Sequence, residues 1–333
     1  MAPQELPQTR RHSLTTLGLG CLAAALPDWP ACAQSPALRI LVGFAPGGSV
    51  DIIARRLSQE LLGQGVKALV DNKPGAGGRI ALEALKNSAP DGRVWAVTPG
   101  SLLVLYPHVF KDMAVDSVND FAPVAAVGAS VYALAVGPLV PTSVKTLADF
   151  CAWCKAHPQQ ASYASSGNGA KSHLAGVQLA RQSGFEWTHI AYKGGAPAVA
   201  DLVGGQIAAN ITILSNVLPH IQSGKLRALA TTGGKRSVYL PQVPTFKEAG
   251  IKDIEALEVF LVLVSGKASS EAIQRAAQDI QMVLNSSAYK DSLMQNFLEP
   301  TEAYSPAVLQ AQLRSESEYW RKLIDQIGFK SDS

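Results

Sequence analysis

Two short stretches pair glycines with hydroxyl residues directly ahead of a helical apolar stripe. Residues 45–51 read APGGSVD, and residues 165–173 read SSGNGAKSH. Glycine lets a backbone come close to a ligand. The first amides of a helix have no intrahelical acceptor and carry partial positive charge. Together these form an anion site that needs no basic side chain, and a carboxylate or a phosphate fits it equally. Further loops of the same kind stand at 75–78 and 194–196. A tight turn alone explains one such loop, but four of them point to binding. Asp51 admits two roles, holding a ligand amine or accepting amide bonds in its own helix turn.

Other chemistries fail on detail. GAGGRI at 75–80 puts Ile80 where a dinucleotide fingerprint needs its third glycine, and Leu229 stands where a P-loop ending at Gly234-Lys235 needs its first. No G-x-S-x-G elbow is present. An exported serine hydrolase using Ser166 or Ser172 with His173 as base is the rival class. The pair Cys151 and Cys154 lies in TLADFCAWCKAHP, whose spacing is helical throughout, with no strand leading into the first cysteine. That context argues against a redox motif, and His157 alone adds too few ligands for a metal. Two small apolar residues on a helix is the expected reading, with a local disulfide as the alternative. No cofactor and no metal are expected.

The elements that must position these loops repeat one grammar. A strand at 38–44 leads through the first loop into an amphipathic helix, with Ser49 as a plausible N-cap and Gly63 or Gly65 as the C-cap. Strands at 67–71 and 94–97 enter loops at 72–78 and 98–101. This predicts a parallel α/β sheet with its loops on one edge, which brings Gly77 and Ser101 beside the first loop. A second set follows, with strands at 161–165, 188–192, 207–214 and 226–231, so two α/β lobes are expected. The C-terminal third reads as amphipathic helix.

The chain has 333 residues, is 47% apolar and 17% charged, and carries a net charge of +3. That suffices for a large core or two medium ones. Basic residues are not clustered, so no nucleic-acid partner is expected. The N-terminus has Arg10-Arg11, an apolar run at 14–26 and Ala31-Cys32-Ala33. This is the pattern of an export signal over residues 1–33, cleaved after Ala33, and its apolar run is too short to span a bilayer.

The ordered motifs FAPGGSVD, VDNKPGAGG, PDG, SSGNGAKSHL, YKGGAPAVADLVGG, SGKLRALATT and LPQVPTFKEAG run over residues 38–250. In this order they closely resemble the substrate-binding receptors of tripartite tricarboxylate transporters, the TctC-like or Bug receptors. The resemblance implies a two-lobed periplasmic binding protein fold of type II, each lobe a mixed or parallel sheet flanked by helices. Crossovers near 135–139 and 254–259 would give one lobe of 36–137 plus 256–333 and another of 138–255, with the ligand cleft between them. It implies a periplasmic, monomeric, non-enzymatic receptor. Such a receptor would capture a small carboxylate (a di- or tricarboxylate, an amino acid or an aromatic acid) and deliver it to membrane permease subunits. An orphan receptor presenting its ligand to a sensor kinase is the alternative. By the same resemblance the ligand meets Gly47, Gly48, Ser49 and Asp51 from the first lobe. From the second it meets Ser166, Gly167, Asn168, Gly169 and Ala170, with Gly194 and Ala196 lining the cleft. The chain departs from the family at Ser265-Gly266-Lys267-Ala268-Ser269, where Pro-Ala-Gly-Thr-Pro is frequent, and near Ala208 and Thr212, where acids are frequent.

Overall fold

The computed structural model describes residues 37–329, apart from 112, 118 and 303. The export segment expected at 1–33 lies outside the described residues. The chain starts in strand β1 (Leu38–Val42), with a burial pattern that leaves only Arg39 exposed. Helix α1 (Ser49–Gly63) follows and turns Ile53, Ala54, Leu57 and Leu61 inward, fully buried, at helical spacing. Each of the larger three contributes about 1.5–3 kcal/mol by leaving water. The N-cap is Gly48 and the C-cap Gln64, each one residue from a position expected.

The remaining elements alternate in the same way. Strand β2 (Ala68–Asn72) leads to α2 (Arg79–Lys86), and β3 (Val94–Pro99) to the short helices α3 (Ser101–Val104) and α4 (Tyr106–Val109). The long strand β4 (Phe121–Val136) precedes α5 (Leu147–Ala156), β5 (Ser162–Ser165) and α6 (Lys171–Ser183). Then come β6 (Thr188–Ala191), α7 (Gly195–Val203), β7 (Ala209–Ile213), α8 (Leu214–Gln222), β8 (Arg227–Thr231) and β9 (Leu257–Ser265). Helices α9 (Ser270–Asn285), α10 (Ser287–Gln295) and α11 (Pro306–Ile327) close the chain.

The strands form one mixed sheet of order β2-β1-β3-β9-β4-β7-β5-β6, with β8 also on β4. Strands β2, β1 and β3 are parallel, as are β6, β5 and β7. Strands β9 and β4 are antiparallel to their neighbours. Strand β4 joins the two halves. It pairs with β9 from Phe121 to Val131, then with β7 from Tyr132 and β8 from Ala133. One buried apolar cluster gathers side chains from 38–127 and 260–324, together with Leu174. Two others gather side chains from 131–254.

Cys151 and Cys154 lie on α5, both buried and both free thiols. Burial raises the Cys151 thiol, and burial with the neighbouring Cys151 pushes Cys154 up to about 12. Only a thiolate is a nucleophile. Iodoacetamide at pH 8 should therefore leave both cysteines of the folded protein unmodified over hours while labelling both within minutes in urea. Equal labelling rates in the two conditions would contradict this placement.

Candidate ligand-binding site

Five helices of eight residues or more start without a side-chain cap: α1, α2, α6, α7 and α8. By contrast, Thr146, Ser269, Ser286 and Ser305 cap α5, α9, α10 and α11 with their hydroxyls. Four of the five uncapped starts, those of α1, α6, α7 and α8, meet at one cavity. Its wall includes Gly48 and Ser49 of α1, Ala170 of α6, Gly195 of α7, and Ile213 and Asn216 of α8. Ser101, Ser166, Thr212, Tyr132 and Glu258 add polar groups, while Phe44, Tyr106 and Phe260 give it an apolar body. No basic side chain lines it among the described residues. Its volume is about 30 Å³, enough for a water but far below the roughly 300–1,000 Å³ of an open ligand pocket. A larger hollow of about 650 Å³ beside Lys247 and Tyr319 contains no helix start.

The cavity is narrow because its two sides touch. The Ser49 amide donates to Asn216 Oδ1 at 3.1 Å, and the Ser49 hydroxyl donates to the same oxygen at 2.7 Å. Ser49 also shares a hydrogen bond with Ser215 at 2.7 Å. The Ala45 amide donates to the Lys193 carbonyl. A Cβ on Gly167 would sit 3.1 Å from Gly77 Cα, so these two glycine loops lie against each other. Gly195 is the tightest point, since a Cβ there would lie 2.1 Å from Asn216 Nδ2.

Of the positions expected from sequence, Gly48, Ser49, Ser101, Ser166 and Ala170 stand on the wall. Gly47, Gly167, Asn168, Gly169, Gly194 and Ala196 belong to loops that also hold wall residues, and Gly77 accepts from the Tyr106 hydroxyl at 3.2 Å, but none of the seven lines the cavity. Asp51 is 3% exposed and accepts from the Gly47 amide, Asn72 and Arg55, all within 2.9 Å. Burial pushes its pKa up, but the bonds from Arg55, Gly47 and Asn72 outweigh this and hold it below the usual range. Of its two open roles, the geometry gives Asp51 the bracing of its own loop. Sequence reasoning named the 194–196 loop that holds Gly195 but did not single out Tyr132, Asn216 and Glu258. Asn216 had a readable signal, a polar Ser-Asn pair where β7 runs into a helix. Glu258 had another, a lone acid inside LEVFLVLVS.

Both halves supply uncapped helix starts to one small cavity, as a two-sided receptor requires. The profile described as "Tripartite tricarboxylate transporter family receptor" matches residues 52–329. The chain belongs to this family. It is 32% identical over 297 residues to Protein BugT of Bordetella pertussis, covering 88% of this chain and 90% of BugT. Its structure resembles that of the periplasmic binding protein BugD at a TM-score of 0.82 and 26% identity, covering 89% and 99% of the two chains. It matches R. palustris Rpa4515 with adipate at a TM-score of 0.82 and 27% identity, covering 91% and 100%. The fold is therefore the two-lobed periplasmic binding protein fold, and family members are solute-binding receptors.

Two buried groups flank the receptor's cavity. Glu258 is fully buried. One of its oxygens accepts from the Tyr132 hydroxyl, and the other accepts from the Ser101 amide at 3.1 Å. Lys171, 3% exposed, donates to Glu316 and to the Leu257 carbonyl, each at 2.9 Å, and lies 3.9 Å from Glu258. Burial lowers the Lys171 pKa, but the charges of Glu258 and Glu316 outweigh it and leave the pKa raised. Behind the Ser166 loop, the rings of His173 and His189 stack 3.6 Å apart at 7°. His173 Nδ1 accepts from the Gly169 amide at 3.1 Å, and His189 Nε2 meets the Ser165 hydroxyl at 2.6 Å.

Proposed function

We propose that this chain is an extracytoplasmic receptor that captures a small carboxylate between its lobes for a tripartite tricarboxylate-type transporter. The observation that carries the reading is the meeting at one cavity of four helix starts whose own N-cap residues make no side-chain cap, with no basic side chain on its wall among the described residues. A carboxylate oxygen presents the same lone pairs to the start of α1 as Asn216 Oδ1 does, with a full charge behind them. Each backbone donor to a charged group contributes about 1.5–3 kcal/mol. Four or five of these, less ordering and closure costs, reach roughly micromolar affinity, about 8 kcal/mol. The small cavity requires the lobes to part before a ligand enters, by bending where β4 and β9 pass between them. The boundaries we assign are 36–137 plus 256–333 for one lobe and 138–255 for the other. The division of buried apolar clusters follows them apart from residues 131–136 and Leu174, each of which packs with the other half.

The similar structure of Rpa4515 with adipate supports a carboxylate as the ligand class. Residues 1–33 fit an export signal, and no helix among the described residues is long and apolar enough to cross a membrane. We assign the protein to the periplasm as a monomer, with membrane permease subunits as partners. A hydrolase reading gains no support from the geometry. The Ser172 hydroxyl is buried without a hydrogen-bond partner, and His173 Nδ1 is engaged by the Gly169 amide.

The test is a thermal-shift panel on the protein without its first 33 residues, using mono-, di- and tricarboxylates, amino acids and aromatic acids, with phosphate and nucleotides as controls. A ligand at a hundred times its Kd adds about 2.7 kcal/mol, several degrees of Tm. Gly48→Val should abolish that shift at unchanged Tm. Its backbone is extended, and a Cβ has 3.7 Å to the Ala45 carbonyl and 3.9 Å to the Ala196 amide, so only the valine methyls intrude on the cavity. A shift with phosphorylated compounds alone would overturn the carboxylate assignment, and a normal shift in Gly48→Val would remove the first loop from the site.

A further inference from the structure

The cavity wall carries one ionisable acid and no base among the described residues. That acid, Glu258, is wholly buried on β9, 157 residues away in sequence from the Ser101 amide it accepts. A buried carboxylate is costly unless its charge is matched. Its nearest cation is Lys171, but the short bond of Lys171, 2.9 Å, goes to Glu316, and the ammonium stands 3.9 Å from Glu258. The Trp320 indole also donates to Glu316 at 3.2 Å, holding that carboxylate on the lysine. The group thus has two carboxylates and one ammonium, a surplus of one negative charge. Glu316 is partly exposed and is screened by water, whereas Glu258 is not. Tyr132 and the Ser101 amide donate hydrogen bonds to Glu258 but bring no charge.

We propose, resting on the receptor reading above, that Glu258 makes the site select a carboxylate that also carries an ammonium group, a short amino acid rather than a plain dicarboxylate. The ligand carboxylate lies at the helix starts, taking the place of Asn216 Oδ1 on the Ser49 amide, with no acid in the first turns of α6, α7 and α8. Its ammonium lies toward Glu258 and supplies the missing positive charge. A second carboxylate in that position would face Glu258 with no basic side chain between them. The pairing is worth more inside the closed cleft than in water, because little solvent remains to screen it.

The test compares matched pairs that differ only in the amino group: aspartate with succinate, glutamate with glutarate, and 4-aminobutanoate with butanoate. Calorimetry on the wild-type protein should show at least one amino member binding tenfold or more tighter than its partner. In Glu258→Gln that preference should fall below threefold. Glu316→Gln serves as the second variant, because Glu316 is partly exposed and its loss leaves the cavity wall intact. With Glu316 gone, Lys171 turns to Glu258 and the preference should shrink, with butanoate binding unchanged. Succinate, glutarate and butanoate binding as tightly as their amino partners would overturn the inference while leaving the receptor reading standing. Malate binding more tightly than aspartate would also overturn it, as would an undiminished preference in either variant. If no carboxylate of either kind binds, the receptor reading itself fails and takes this inference with it.

Discussion

Gly195→Ala should reduce carboxylate affinity by roughly 10- to 100-fold while leaving Tm within a few degrees of wild type. The added methyl carbon would lie 2.1 Å from Asn216 Nδ2, 2.8 Å from its Cγ and 3.1 Å from Thr212 Oγ1. Those atoms belong to side chains, so the fold survives by rotating Asn216 away. Rotation breaks the bond from Asn216 Nδ2 to Thr212 and takes Oδ1 off the start of α1. Once a carboxylate has taken the place of Oδ1, Asn216 Nδ2 is the donor that can turn to it, and a rotated amide forfeits that charged hydrogen bond, about 1.5–3 kcal/mol, hence one to two decades. The mechanism has a signature. If the methyl acts through Asn216, the double variant Gly195→Ala/Asn216→Ala should bind about as Asn216→Ala alone does, a strong non-additivity. Calorimetric titration of the four proteins measures this, and additive losses would refute it.

Acidification should destabilise the protein well above the pH at which its carboxylates titrate. Burial lowers His173 to about 4, and burial with the neighbouring His173 ring lowers His189 to about 3. An unfolded histidine titrates near 6.5. From pH 6.5 down to about 3, the unfolded chain therefore binds protons that the folded chain refuses. Stability from these groups is full above pH 6.5 and is lost as pH falls through that window. At pH 5 the pair costs roughly 2–4 kcal/mol, after discounting for partial exposure. His108, also lowered by burial, adds to the slope in the same direction. Urea unfolding at pH 7.5 and pH 5 reads the difference, and His173→Asn/His189→Asn should remove most of it. An equal slope in that variant would place the loss elsewhere. The effect also reaches the ligand loop. Protonating His173 Nδ1 removes the acceptor of the Gly169 amide, and protonating both rings puts like charges on rings whose centres are 3.6 Å apart beneath Ser166.

The strand-loop-helix grammar was readable because each unit is local, an apolar run, a glycine turn and a helical stripe within about thirty residues. It located both glycine loops ahead of their helices, and Gly48, Ser49, Ser101, Ser166 and Ala170 from these and the 98–101 loop line the cavity. Strand β4 was not read as one strand. Its sequence, FAPVAAVGASVYALAV, is apolar on both faces, so it shows no alternation of the kind that marks a half-buried strand. The long-range partners were hidden for another reason. Asn216 reaches Ser49 across 167 residues, and Tyr132 reaches Glu258 across 126. The first meeting is decided by how the halves come together and the second by the pairing of β4 with β9, and no spacing along the chain encodes either. Asp51 was open to two roles, because its type suits a ligand amine as well as an amide of its own loop. Its hydrogen-bond partners are the Gly47 amide, Asn72 and Arg55, from its own loop, a neighbouring strand end and its own helix.

The sixteen-residue strand β4 also bears on how this protein could change its architecture over time. Neither half owns that strand. Its first part is completed by β9, which arrives more than a hundred residues later, and its second by β7 and β8. A chain cut before residue 257 would keep every strand of the second half. It would leave the apolar edge of β4 from Phe121 to Val131 unpaired, an invitation to intermolecular pairing. The halves therefore cannot be traded as cassettes, as beads on a string can. New ligand preferences have to arise by single replacements around the cavity, at positions such as Thr212, Asn216 and Glu258, while the shared strand stays in place.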